Sequence, residues 1–275
     1  MVGRYAAPVY RSHLIRFIYE QKMIAQNSLA HALWLQGFAD QAMRVVQQAT
    51  EGARAIDHPP TVCYVLTEGV CAIALLTRGV AALAEPAASA IDATRRHGVS
   101  TWKARGRMWR GLLLLSQGDT EAYARELRPA FDEIGEALFV LHYTGYVSAA
   151  CMELGLQGCV AEAFELIEAA IGRARRVGDR CSVAELLRVK GELLDREPAS
   201  KDLAEAQFIE AVKASRQQES LAWKLRCATS LARAWLQQGR RVEACELLAP
   251  VYAQFTEGFD TADLQQARAL LGSMR

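Results

Sequence analysis

Apolar residues recur along this chain at the three- and four-residue spacing of amphipathic helices, and strand-like runs of alternating β-branched residues are absent. The clearest unit is Leu231 to Tyr252, LARAWLQQGRRVEACELLAPVY. An apolar helical run reaches Gly239, and a second run returns across it. Ala232 stands seven residues before that glycine and Ala244 five after. This spacing predicts two helices whose backbones approach closely at the small residues.

The unit is repeated. Turns rich in glycine or proline fall at Gly37, Gly79, Gly118, Gly158, Pro198 and Gly239, at intervals of 42, 39, 40, 40 and 41 residues. Seven residues before each turn stand Ala30, Ala72, Gly111, Cys151, Gly191 and Ala232, all small. Four before it stand Leu33, Leu75, Leu114, Leu154, Leu194 and Trp235, all large and apolar. Five after it are Ala42, Ala84, Ala163 and Ala244; Tyr123 departs from the rule between Ala122 and Ala124, and the longer turn at Pro198 moves the equivalent residue to Ala206. A period near 40 residues, carried by such offsets, predicts helix–turn–helix units stacked in series. The expected fold is all-α: a right-handed superhelical solenoid of about six hairpins.

The connections fit this division. Proline blocks helix continuation at His58-Pro59-Pro60, and Arg95-Arg96-His97-Gly98 and Arg175-Arg176-Val177-Gly178 place cations and then glycine at helix ends. Asp119 and Asp202 stand where N-caps are wanted. Residues 1–20, with Tyr5, Tyr10 and Arg16, read as a lead-in, and 21–275 as the helical-repeat domain, closed by a capping helix from Thr261 to Met274.

Composition adds little chemistry. The chain is 51% hydrophobic, with 32 basic and 31 acidic residues, so no charge excess points to nucleic acid or an anionic membrane. Its seven cysteines form no CxxC pair, and most lie in apolar helical runs, as small core residues do in a reducing compartment. The N-terminus lacks the apolar stretch of a secretory signal, and the longest uninterrupted apolar run, Val70 to Leu76, is short for a membrane span. A cytoplasmic location is expected.

The spacing of small and large residues resembles the tetratricopeptide repeat in a variant longer than its usual unit. Gly37-Phe38-Ala39-Asp40-Gln41-Ala42 and Gly239-Arg240-Arg241-Val242-Glu243-Ala244 match that family's turn-plus-alanine pattern. ALWLQGFADQAMR (32–44), ELLRVKGELL (185–194) and the stretch from Leu221 to Leu271 further resemble the C-terminal repeats of large bacterial predicted ATPases of the signal-transduction type. In that family a winged-helix or nucleotide-cyclase module and an NTPase precede the repeats. The resemblance implies a regulatory, signal-transduction or transcriptional role. No GxxxxGK[ST] phosphate loop occurs here, so ATP hydrolysis, cyclase activity and DNA binding carry over to no residue.

No HExxH, GxSxG or GxGxxG pattern is present, and the five histidines are scattered. No catalytic residue, cofactor or metal ligand is therefore assigned. Trp34, Trp102, Trp109, Trp223 and Trp235 fall mostly on apolar faces and are expected in the core. In repeats of this type the first helix of each hairpin lines the concave surface, at positions thirteen, ten and six before the turn. Those positions hold, among others, Leu66, Arg105, Met108, Leu112, Gly145, Ser148 and Met152 in the second to fourth units, and Glu185, Arg188, Glu192, Arg226, Thr229 and Arg233 in the last two. The candidate groove is apolar in its middle and charged toward the C-terminal end, which suits an amphipathic peptide or partner helix.

The expected function is non-enzymatic. The domain would bind a protein, a peptide or a small effector and pass its state to a partner, such as an NTPase or DNA-binding module in cis or trans. The alternatives are a scaffold that self-associates as a homodimer through its N-terminal aromatics, and an enzyme-like small-molecule groove.

Overall fold

The computed structural model of the protein describes residues 19–97, 100–135 and 143–274. The lead-in through residue 18, with His13, and His142 lie outside them. The described residues form thirteen helices and no strand. In chain order these are α1 (Gln21–Leu35), α2 (Ala39–Ile56), α3 (Pro59–Arg78), α4 (Ala84–His97), α5 (Ser100–Ser116), α6 (Arg128–Gly135), α7 (Tyr143–Leu156), α8 (Val160–Val177), α9 (Val183–Leu194), α10 (Lys201–Gln217), α11 (Leu221–Gln237), α12 (Arg241–Tyr252) and α13 (Ala262–Ser273). Helices pack in consecutive pairs from α1–α2 to α11–α12, and the first helices of neighbouring pairs also touch. α13 covers the last pair through Leu248, Phe255, Leu264 and Ala267.

The five turn glycines adopt φ between +80° and +96°, a region closed to most side chains, which is why glycine recurs there. All six small residues seven positions earlier are buried. At Gly191 the reason is direct: an added Cβ would lie 2.6 Å from two ring carbons of the buried Phe208 on the paired helix. The alanine rule beyond the turn holds less well. Ala42, Ala163 and Ala244 are buried, but Ala84 and Ala206 are exposed. In the second pair a 3-10 turn, Val80–Leu83, rotates the incoming helix so that Leu83 and Ala87 face the core. In the fifth, Pro198–Ser200 forms a shorter 3-10 turn than the spacing suggested, and Ala204 is the buried residue. Ser200, not Asp202, is the N-cap of α10, whereas the Asp119 carboxylate does accept from the Ala122 amide at 3.2 Å.

Two π-helical segments interrupt the regular geometry, Val65–Cys71 within α3 and Tyr123–Leu127 before α6. α3 is the one helix among the described residues long and apolar enough to cross a membrane, with a mean hydropathy of 1.6 over a window that is 67% buried inside the protein. It is central in the packing, touching α1, α2, α4 and α5.

The first hairpin meets the last helices. Ala30, Trp34, Ala42 and Val46 from the first pair share one core with Phe208, Trp223, Cys227 and Leu231 from the last helices. The rings of Trp34 and Trp223 stand edge to face with centroids 4.7 Å apart. Polar contacts reinforce the junction. The Gln41 amide and side chain donate to the Glu257 carboxylate at 2.9 and 3.1 Å, the Gly258 amide donates to Asp40 at 3.1 Å, and Ser220 Oγ donates to the Leu35 carbonyl at 3.2 Å.

Two glycine-to-alanine changes should move stability in opposite directions. Gly191→Ala gains helix propensity but collides with Phe208, so urea unfolding should show a net loss of about 1–3 kcal/mol. Gly272→Ala in α13, where an added Cβ meets nothing within 4 Å, should raise stability by up to about 1 kcal/mol.

Candidate functional site

The inward positions of the first helices gather two buried polar clusters. The first centres on Glu68, at the π segment of α3. Its carboxylate pairs with Arg105 Nε and accepts from the Tyr146 hydroxyl at 2.9 Å, while its backbone carbonyl accepts from His31 Nε2 at 3.0 Å. Arg105 also stacks over Trp102 at 4.7 Å. Burial, then the Glu68 charge, holds the Tyr146 hydroxyl well above its usual range, so it stays a donor. Burial lowers His31 to about 4, so the ring is neutral at pH 7.

The second cluster lies where α9, α11 and α13 converge. Arg188 donates from Nε and Nη2 to the two oxygens of Glu185, at 2.7 and 2.9 Å, and from Nη1 to Glu192 at 3.1 Å. Glu192 also accepts from Ser230 at 2.6 Å and from Arg233. Arg226 uses all three nitrogens: Nη1 to Glu185 at 3.1 Å, Nε to Asp263 at 2.8 Å, and Nη2 to the Leu76 carbonyl at 2.9 Å. Its guanidinium also lies 5.2 Å from the ring centres of both Trp34 and Trp223. One side chain on α11 thus holds α9, α13, α3 and α1. Burial opposes ionisation of Glu185, but Arg188 and Arg226 outweigh it and bring the carboxyl down to about 2. The same balance of burial against Arg188 and Arg233 lowers Glu192.

A cavity of about 390 Å³ opens beside this cluster, lined by Arg188, Glu192, Arg196, Arg226, Ser230 and Arg233 together with Met152, Leu156, Asp263 and Gln266. Its volume lies in the range of small-molecule sites. A depression of about 320 Å³ between α2, α3 and α4 and one of about 550 Å³ lined by Arg95, Lys103 and Arg107 have no comparable buried charge network.

Each residue assigned to the groove now has a place. Arg188, Glu192, Arg226, Arg233 and Met152 line the 390 Å³ cavity, and Glu185 braces it from beneath. Arg105 belongs to the other cluster, paired with Glu68. Met108 and Leu112, 1% and 2% exposed, are core residues, so the apolar middle of the groove is filled by packing and offers no open surface. Leu66 and Ser148 are buried too. Thr229 is buried and spends its hydroxyl on the Leu225 carbonyl, 2.7 Å away on its own helix. The tryptophans Trp34, Trp102, Trp109 and Trp223 lie in the core, with Trp235 packed at its edge. Four cysteines are buried, Cys159 and Cys245 partly so, and Cys181 is exposed.

No protein-family model matches this sequence, and no curated protein is similar to it.

Sequence reasoning passed over Glu68, Tyr146, Ser230, Arg196 and Asp263. Glu68 had a readable signal, as the one acidic residue in the apolar stretch 59–78. Asp263 had none, because it stands on the capping helix, outside the repeat offsets. Among the described residues no group of three or more His, Cys, Asp or Glu is arranged to hold a metal ion.

The two clusters make stability acid-sensitive. His31 and Glu185 both have folded values below their ordinary 6.5 and 4.5, so the unfolded chain binds more protons as pH falls. Stability should drop through the His31 window, 6.5 to about 4, and then through that of Glu185, 4.5 to about 2. Urea titrations at pH 7 and pH 5 should differ by about 2 kcal/mol, and His31→Gln should remove most of that difference.

The ion pairs should also differ in weight. Arg226→Ala leaves Glu185 and Asp263 short of a partner and should cost about 3–5 kcal/mol in the same assay. Arg233→Ala, at a side chain 32% exposed, should cost under about 1 kcal/mol.

Proposed function

We propose that this protein is a non-enzymatic effector-sensing domain of a bacterial regulatory system, built as a tetratricopeptide-like superhelix whose inner surface binds a small molecule and signals to a partner module. One observation carries the choice of a small effector over a peptide. The positions that would anchor a peptide, Met108 and Leu112, are buried in the core, while the charged end keeps a 390 Å³ cavity. The helical pairs at a period near 40 residues, and the likeness of residues 221–271 to repeats of signal-transduction ATPases, support the regulatory setting.

Arg226 supplies a route for the signal. It lines the cavity and also bonds the Leu76 carbonyl and stacks on Trp34, so a ligand seated beside this network is coupled to the contact between the first hairpin and the last helices. A ligand shifts such an equilibrium only by its differential affinity for the two arrangements.

A thermal-shift screen against a library of small metabolites tests the reading. Hits should raise Tm in the wild-type protein and lose that effect in Arg233→Glu, but keep it in Lys103→Glu at the separate basic depression. A library without hits, or hits equally sensitive to both variants, would reject the site.

A further inference from the structure

The hydrogen bonds within the cavity narrow the ligand class, granted the effector reading above. Arg188 and Arg226 are committed: every guanidinium nitrogen of each donates to a carboxylate, a carbonyl or Ser230. Arg233 is not, since only its Nη2 is engaged, on Glu192. The guanidinium of Arg196, an exposed residue lining the cavity, has no hydrogen-bond or ion-pair partner among the described residues. Two guanidinium groups with open donor edges therefore border one cavity, the arrangement that recognises a planar oxyanion.

The charge count limits that anion. Arg188, Arg196, Arg226 and Arg233 face Glu185, Glu192 and Asp263, so four positive groups against three negative ones leave one positive charge unbalanced. A single negative charge neutralises the site, whereas a phosphate dianion would sit beside three carboxylates with excess charge. Of the uncharged lining, Ser230 and Gln266 are polar and Met152 and Leu156 are apolar. Met152 is partly exposed, and Leu156, at 57%, is among the most exposed large hydrophobic residues in the fold. Leu156 on the surface of a helix end would gain from a ligand that covers it.

We propose that the cavity binds a small monocarboxylic acid with an apolar body, its carboxylate between Arg196 and Arg233 and its chain against Met152 and Leu156. Arg196 and Arg233 hold the head group, and the Glu185–Arg188–Arg226 network keeps the wall rigid.

Calorimetric titration with octanoate, octan-1-ol and 2-aminooctanoate tests this. Octanoate should bind at least about tenfold more tightly than octan-1-ol, the worth of one charge-assisted hydrogen bond. It should also exceed 2-aminooctanoate, whose ammonium restores the surplus positive charge. The double variant Arg196→Met/Arg233→Met keeps the aliphatic stems, and should weaken octanoate at least tenfold with octan-1-ol unchanged; far-UV circular dichroism checks that it folds. Equal affinity for acid and alcohol, tighter binding of the amino acid, or a double variant that binds octanoate normally would overturn the assignment. If octanoate fails while a screened metabolite binds and is lost in Arg233→Glu, only the carboxylate class falls. If no compound of any class binds, the effector reading falls with it.

Discussion

The guanidinium of Arg226 fixes how the first hairpin meets the last helices. A largely buried cation with three nitrogens must find acceptors, and no single neighbouring helix supplies them. Here Glu185, Asp263 and the Leu76 carbonyl come from α9, α13 and α3, and Trp34 of α1 covers one face. The first and last hairpins can separate only if this cation loses part of its shell. Electrostatics and packing therefore enforce the same contact, because the Trp34–Trp223 pair lies against the same group.

A second constraint works within each hairpin. Two helices can approach closely only where one of them has almost no side chain. Ala30, Ala72, Gly111, Cys151, Gly191 and Ala232 provide that at the same height in every pair. Phe208 against Gly191 shows the tolerance involved, since the ring occupies the space a methyl group would need. Close approach at these points directs the neighbouring first helices toward one another, and their inward polar residues meet as the Glu68 and Glu185 clusters.

The turns and small positions were legible because they are local: a glycine with φ near +80° and a small residue seven positions earlier belong to one hairpin. Candidate site residues were legible in part. Arg188, Glu192, Arg226 and Arg233 carried the correct inward phase of their helices, and they do border the cavity. Met108, Leu112 and Thr229 carried the same phase but are buried, since helical phase states a direction and not the distance to the facing wall. Ala84 and Ala206 misled for a different reason. A 3-10 turn advances the chain by a different angle per residue than an α-helix, so counting across it loses the face.

Helix content, turn positions and the inward-facing stripe of each first helix were readable from the residues alone, because they follow from backbone conformation and residue size within about 40 positions. Only the assembled fold brings the first hairpin against the last helices, joins Asp263 of α13 to Arg226 of α11 and through it to Glu185 of α9, and leaves a charged cavity beside them. Those outcomes depend on contacts between residues 37 to 218 positions apart, and no local pattern of residues records them.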